Sequence, residues 1–222
     1  MDNLLQTIRE ELYSAVVGDV LDAAGMTQQF LPPDIGPLDD QVVMVGRAMT
    51  VLEADCAGPQ VAHGGEAEPF GLMLQALDDL HPGEVYLCAG ASHTYALWGA
   101  LMTTRAMHLG AAGAVLDGYC RDSKEIGQLG FSVFATGRYA QDQAVRGRVI
   151  DFRCALRFRN GVLVKPGDIV LGDVDGVVVI PAEHERAVVA DALKKVRGEN
   201  LVRTALQGGL SASQAFKDYG VM

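Results

Sequence analysis

The sequence predicts an α/β fold with a mixed β-sheet core and helices outside it, and three observations predict this. Segments with helical apolar spacing alternate with short continuous apolar runs of the kind that become strands buried on both faces. Beyond Val149 the pattern changes to short β segments separated by turns. A length of 222 residues, with 49% hydrophobic and 21% charged content, suits one domain spanning residues 1–222 with a sizeable core.

The elements follow in order. Residues 7–24 place Leu12, Val16, Val20 and Ala23 at helical spacing, with Gly25 as the stop, and predict one first helix. Residues 29–37 carry Pro32, Pro33 and Pro37, which fix φ and remove donors, so a rigid loop is expected. Val42–Val45 and Ala48–Ala54 read as two strands, Pro69–Leu80 as a helix, and Pro82-Gly83 as a turn before the apolar run 85–88. Tyr95–Leu109 reads as helical up to Gly110, and Ala114–Leu116 as a buried strand. Phe131–Ala135 is a further strand, Asn160-Gly161 marks a hairpin, and Asp173–Gly176 turns between Ile169–Leu171 and Val177–Ile180. A long helix over about 182–206 and a short one from Ser211, whose spacing to Gln214 matches a capping box, complete the chain.

Composition excludes several classes. A formal charge of −10 and the lack of any Lys/Arg cluster argue against nucleic acid as a partner. The first residues do not pair a basic stretch with an apolar run, and no apolar run approaches the roughly 18 residues of a membrane span, so no membrane partner and a cytoplasmic location are expected. Cys56, Cys88, Cys120 and Cys154 lie 32 to 34 residues apart without a C-x-x-C pair, which predicts reduced thiols and no zinc spacing.

The most informative stretch runs from Gly110 to Asp122, where a buried strand is followed by Asp117, Arg121 and Asp122 within six positions. Ligands in α/β folds bind at the carboxyl ends of strands. Arg121 offers a planar fork of donors matched to a carboxylate, and Asp122 offers a hard oxygen ligand. On these residues alone a polar turn, with Arg121 paired to a neighbouring carboxylate, is the more ordinary reading, since ion pairs in turns are common.

This Gly-rich turn, strand, Asp-Gly and Arg-Asp pattern resembles that of the RraA-like family, which includes class II aldolases for 4-hydroxy-4-methyl-2-oxoglutarate and 4-carboxy-4-hydroxy-2-oxoadipate. Val17–Asp22, Trp98–Met102, Val164–Asp168 and Gly172–Pro181 follow the same family, so the resemblance covers about residues 10 to 200. It implies a swivelling-domain-like α/β/β sandwich. It also implies that Arg121 binds the substrate carboxylate and acts in catalysis, and that Asp122 contacts a magnesium or manganese ion. The backbone amides of Gly99, Ala100, Leu101 and Met102 complete the implied carboxylate site, and Gly99 is expected to let substrate approach the backbone. Trimers or hexamers, with the site at a subunit boundary, are implied as well.

One departure stands out, because the family's aldolases carry an acidic residue where this chain has Ala100, 21 positions before Arg121. The expectation is therefore a metal-dependent lyase that cleaves a small 2-oxo acid to pyruvate. Decarboxylation of oxaloacetate, or cleavage of another hydroxy-oxo acid, stands as an alternative. A non-catalytic regulator of an RNA-degrading enzyme, as some relatives are described, is the second. Glu125 is a candidate support for the metal or a solvated helix-start residue. His93, Tyr95 and Trp98 are candidate pocket residues, Trp98 equally a packing residue. His63 sits in a Gly-rich loop as a weaker candidate, and Lys124 is the one lysine near enough for a Schiff base.

Overall fold

The computed structural model describes residues 3–57 and 69–220. Two helices, α1 (Asn3–Glu11) and α2 (Ser14–Ala23), precede β1 (Gly36–Pro37) and β2 (Met44–Asp55). Then come α3 (Met73–Asp78), β3 (Glu84–Ala89), β4 (Ala96–Trp98), α4 (Ala100–His108), β5 (Gly113–Cys120), α5 (Ser123–Leu129) and β6 (Val133–Arg138). The last part holds β7 (Gly147–Phe152), β8 (Leu156–Arg157), β9 (Leu163–Val164), β10 (Ile169–Asp173) and β11 (Gly176–Ile180). A 3₁₀ turn at Ala182–His184, α6 (Glu185–Gln207) and α7 (Ala212–Tyr219) follow.

One mixed sheet runs in the order β1-β6-β5-β3-β2-β10-β11, with β7 on β2 and β4 on β5. Its centre, β2, β3, β5 and β6, is parallel, and each step between these strands crosses over through α3, α4 or α5. The flanks are antiparallel. The sheet curves until its two ends meet: just ahead of β1, Leu31 N–H donates to Val177 O at 2.9 Å and Val179 N–H to Gln29 O at 2.9 Å.

Three apolar layers hold this arrangement. Met73, Leu77, Ala106 and Ile126 from α3–α5 pack on Met49, Tyr86, Leu116 and Val133 of the parallel strands. The opposite, enclosed face joins Leu87, Val115 and Phe134 to Phe158 and Val179, and Gly172 lies where a Cβ would stand 2.8 Å from the Phe134 ring. Outside β10 and β11, Val16, Val17 and Leu21 of α2 meet Val188, Val189 and Ala192 of α6.

Several expectations need correction. Residues 7–24 form two helices rather than one, because Tyr13 is extended and Ser14 turns its amide and hydroxyl to Asp173 at 2.7 Å each. The two strands expected at 42–45 and 48–54 are a single β2. The Pro-rich loop contributes β1, where Pro37 sits on a strand with no need of its missing donor. The helix expected over 69–80 shortens to α3. Tyr95–Leu109 is helical only from Ala100, since Ala96–Trp98 pairs with the end of β5. β5 extends to Cys120, so Asp117 lies within the strand and not in a following turn. The β10–β11 hairpin and the Ser211 cap, whose hydroxyl accepts from Gln214 N–H at 3.3 Å, are as expected, and all four cysteines are free.

Asp173, 7% exposed, accepts from Ser14 N–H, Ser14 Oγ–H and, at 3.0 Å, Asp175 N–H, and so ties α2 to the β10–β11 turn. Asp173→Ala strands these buried donors and should destabilise the fold by about 2–4 kcal/mol in urea titrations. A loss below about 0.5 kcal/mol would show that the tie contributes nothing.

Candidate functional site

β4 creates the site by taking over the edge of β5 that β3 leaves: β3 pairs with Gly113–Leu116, and β4 with Tyr119 and Cys120. Arg121 N–H then donates to Trp98 O at 2.9 Å, which fixes the start of α4 beside the end of β5. Asp122 follows in the left-handed region, at φ 57 and ψ 28, a conformation Asp tolerates better than most residues.

That backbone turn aims the Asp122 carboxylate at the helix start. Its Oδ2 accepts from Ala100 N–H at 3.1 Å and lies 3.8 Å from Arg121 Nε. A Cβ on Gly99 would stand 2.7 Å from this same oxygen and 3.3 Å from Arg121 Nε. Gly99 thus makes room for the two charged side chains, a role the sequence reading had given to substrate.

The pair opens into a cleft of about 350 Å³ bounded by α3, the β4–α4 junction and the loop after β6. Gly99, Leu101, Met102, Arg121 and Asp122 all line it, as does Trp98, whose indole donates to Thr103 Oγ1 at 2.7 Å and stacks near Phe131. Ala100 is buried and contributes through its amide, which is committed to Asp122. Of the proposed amide cradle, Leu101 and Met102 keep first-turn N–H groups without intrahelical acceptors.

Asp142 is a site residue that the sequence reading missed. Its carboxylate takes Arg121 Nη1 at 2.8 Å, and it lines the cleft beside Gln143. Both follow the carboxyl end of β6, so applying the strand-end rule to the neighbouring strand would have found them. Phe70, Met73, Leu74 and Leu77 form the apolar wall, and nothing but helical spacing marked them.

Other candidates fall elsewhere. His93 sits 3.3 Å from Asp117, which also takes Arg159 Nε at 2.7 Å; neither His93 nor Asp117 lines the cleft. Tyr95 is buried, with its hydroxyl donating to Asp55 at 2.9 Å. Glu125 and Lys124 are exposed on α5, around a shallow depression that includes Asp122. His63 lies outside the described residues.

A family model described as RraA-like (Aldolase/RraA) matches residues 14–179. The chain belongs to the RraA-like family. A Halalkalibacterium halodurans protein provisionally named a 4-hydroxy-4-methyl-2-oxoglutarate aldolase is 32% identical over 90% of this chain and 87% of its own length. Protein DlpA of Legionella pneumophila is 30% identical over 99% of this chain, which spans only 34% of DlpA. The crystal structure of an uncharacterized Pseudomonas syringae protein superposes with a TM-score of 0.85 at 25% identity, covering 99% of this chain and 95% of that one.

Among the described residues no group of three or more His, Cys, Asp or Glu side chains could enclose a metal. Of the two carboxylates in this RraA-like site, Asp142 is turned to Arg121, and Oδ2 of Asp122 is engaged by Ala100 and Arg121, which leaves Oδ1 of Asp122 for a cation. That fits a hard ion that keeps most of its water and shares its remaining positions with a ligand, as magnesium does. It does not fit zinc. Cys120, next to Arg121, is buried, and burial and then Asp122 push its thiol up to about 12, which disfavours the thiolate.

Behind the cleft wall, Gln143 Nε2 donates to Glu53 Oε1 at 2.7 Å. Glu53 is 3% exposed, and burial, then the Asp55 charge, raise its carboxyl to about 8. The folded state therefore holds a proton that the unfolded chain releases near 4.5. This contribution to stability is complete below about 4.5 and is lost as pH rises through about 8. Urea midpoints should fall across that window, by an amount on the order of a few kcal/mol in stability, and Glu53→Gln should flatten the fall. An unchanged slope in the variant would place the titration elsewhere.

Proposed function

We propose that the protein is a lyase that breaks a carbon–carbon bond in a small 2-oxo acid and releases pyruvate. The observation that carries this reading is the joint placement of Arg121 and Asp122 on one wall of an open cleft, against the first turn of α4. The name of the H. halodurans relative supports the aldolase type.

Arg121 binds the substrate carboxylate. Asp142 holds its Nη1 side and Asp122 lies 3.8 Å from Nε, which leaves the Nη2 side of the guanidinium to the ligand. The Leu101 and Met102 amides add donors where the helix dipole favours an anion. Asp122, locked by Ala100 N–H, is the residue that would hold magnesium or manganese, and such an ion would supply Lewis-acid stabilisation of charge on the 2-oxo oxygen. The apolar wall of Leu74, Leu77 and Met102 excludes water from the carbanion that bond cleavage leaves. Oxaloacetate decarboxylation is the second reading. It is favoured by the methyl group at Ala100, where no carboxylate stands to take the alcohol proton that aldol cleavage must shed.

Leu101, 87% exposed, and Leu74, 56% exposed, sit at the cleft mouth and suit burial in the trimer or hexamer that the family resemblance implies. A cytosolic setting accords with this reading. No described helix is long and apolar enough to cross a membrane.

Purified protein supplied with 2-oxo acids, including 4-hydroxy-4-methyl-2-oxoglutarate and oxaloacetate, should release pyruvate with Mg²⁺ or Mn²⁺ and stop on adding EDTA. Silence across the panel would reject the lyase and favour a regulator that binds protein. Asp122→Ala should abolish the metal-dependent rate, and Arg121→Lys should cut kcat/KM by about 10²-fold, chiefly through KM. Gly99→Ala should lower the rate at least about tenfold with an unchanged circular dichroism spectrum, since its Cβ displaces both charged groups. Wild-type kinetics in any of the three would remove that residue from the site. Light scattering at micromolar protein should give three or six chains per particle, and a monomer would count against the shared cleft.

A further inference from the structure

We infer that Glu53, a buried acid on β2 that does not line the cleft, is a positioning residue for carboxylate binding: it holds Gln143, and through the loop that Gln143 anchors it sets Asp142 and the Arg121 guanidinium. This rests on the 2-oxo acid reading of the cleft above and adds to it a residue that never meets the substrate.

The loop between β6 and β7 is fixed near its two ends by backbone, where Ala96 N–H donates to Gln141 O at 2.8 Å and Cys56 N–H to Arg146 O at 2.7 Å. Between these points two neighbouring side chains point opposite ways. Asp142 turns to Arg121 Nη1 at 2.8 Å, and Gln143 turns inward, its Nε2 donating to Glu53 Oε1 at 2.7 Å. Their Cα atoms are about 3.8 Å apart across one rigid peptide, so a shift at Gln143 carries Asp142 with it. Misplacing a charged binding group by about 1 Å is enough to weaken its grip severalfold or more. Glu53 is 3% exposed and Gln143 4%, so the tie is internal to one chain, and a second subunit at the cleft mouth leaves it intact.

Glu53 sits where β2 and β7 lose register, opposite Val149, with the exposed Asp151 and Arg148 opposite Leu52 and Ala54 on either side of it. Asp55 on its own strand, Tyr86 and Cys88 of β3 and Tyr95 ahead of β4 also face it, and all four are acids. Burial, then the Asp55 charge, keeps the Glu53 carboxyl protonated up to about 8, so at neutral pH Gln143 meets an uncharged group that the interior tolerates. Above that pH the charge lies dry beside Asp55. Hydrating it requires Gln143 to swing out, and Asp142 then leaves Arg121.

Calorimetric binding of pyruvate to the full chain with Mg²⁺ present is the measurement. Glu53→Leu and Gln143→Leu should each weaken binding about tenfold, whereas Glu53→Gln, which keeps an acceptor, should stay within about twofold of wild type. The double variant Glu53→Leu/Gln143→Leu should bind no worse than the weaker single, because both substitutions cut one tie. As pH rises through about 8, wild-type affinity should fall about fivefold while that of Glu53→Gln stays level. In pyruvate-release assays the loss should fall on KM, with kcat within about threefold. Circular dichroism identifies a leucine variant that has not folded, and the pH profile of Glu53→Gln then decides the matter. If the folded leucine variants bind as wild type does, if Glu53→Gln keeps the wild-type fall with pH, or if the loss is confined to kcat, Glu53 positions nothing and the 2-oxo acid site stands. If wild type itself binds no pyruvate, the site reading and this inference fail together.

Discussion

The site depends on one close approach, that of the Asp122 carboxylate to the first turn of α4. A left-handed residue at the end of β5 points its side chain back toward Gly99, and the space a Cβ would fill is the space the carboxylate oxygen uses. The contact joins a negative group to an unpaired helix amide, so it offsets the mild backbone strain and fixes the distance between the end of β5 and the start of α4. Arg121 is held from three directions, through its own amide on Trp98, through Asp122 and through Asp142. The cleft is a consequence of these ties, since its floor is β4 and its rim is the loop that carries Asp142.

Buried acids do comparable work elsewhere in the sheet. Asp173 collects the start of α2, Asp117 collects Arg159 and His93 from two different loops, and Glu53 backs Gln143 behind the cleft wall. Asp173 ends β10, whereas Glu53 and Asp117 sit within β2 and β5 at irregularities in their pairing, where a carboxylate can satisfy groups that the ladder leaves over. Arg153, itself at φ 52, performs the converse task by bridging Asp79 and Glu84. In an acidic protein of net charge −10, most of the structural clasps are still made by carboxylates with specific donors.

The sequence revealed the parallel core and the terminal helices, because strands buried on both faces leave continuous apolar runs and long helices leave periodic ones. Local spacing marked Arg121 and Asp122 as candidates, and the resemblance marked the Trp98–Met102 stretch, which the structure brings to the same cleft. It misplaced what tertiary contacts decide. Tyr95–Trp98 has helix-compatible residues, yet the open edge of β5 recruits it as a strand. Residues 7–24 look like one helix until Ser14 finds a carboxylate 159 positions away. Asp142 carries no motif at all, and its role exists only because β6 lies beside β5.

The meeting of the sheet's two ends has a consequence wherever the protein is concentrated. Strand rims with open backbone groups recruit other chains, and fibres grow from such rims. Here the segment around Gln29 and Leu31 saturates one rim of β11, and the short β1 with its proline gives little purchase on the other. The same curvature that surrounds the inner apolar layer therefore also protects the molecule from stacking edge to edge with its neighbours.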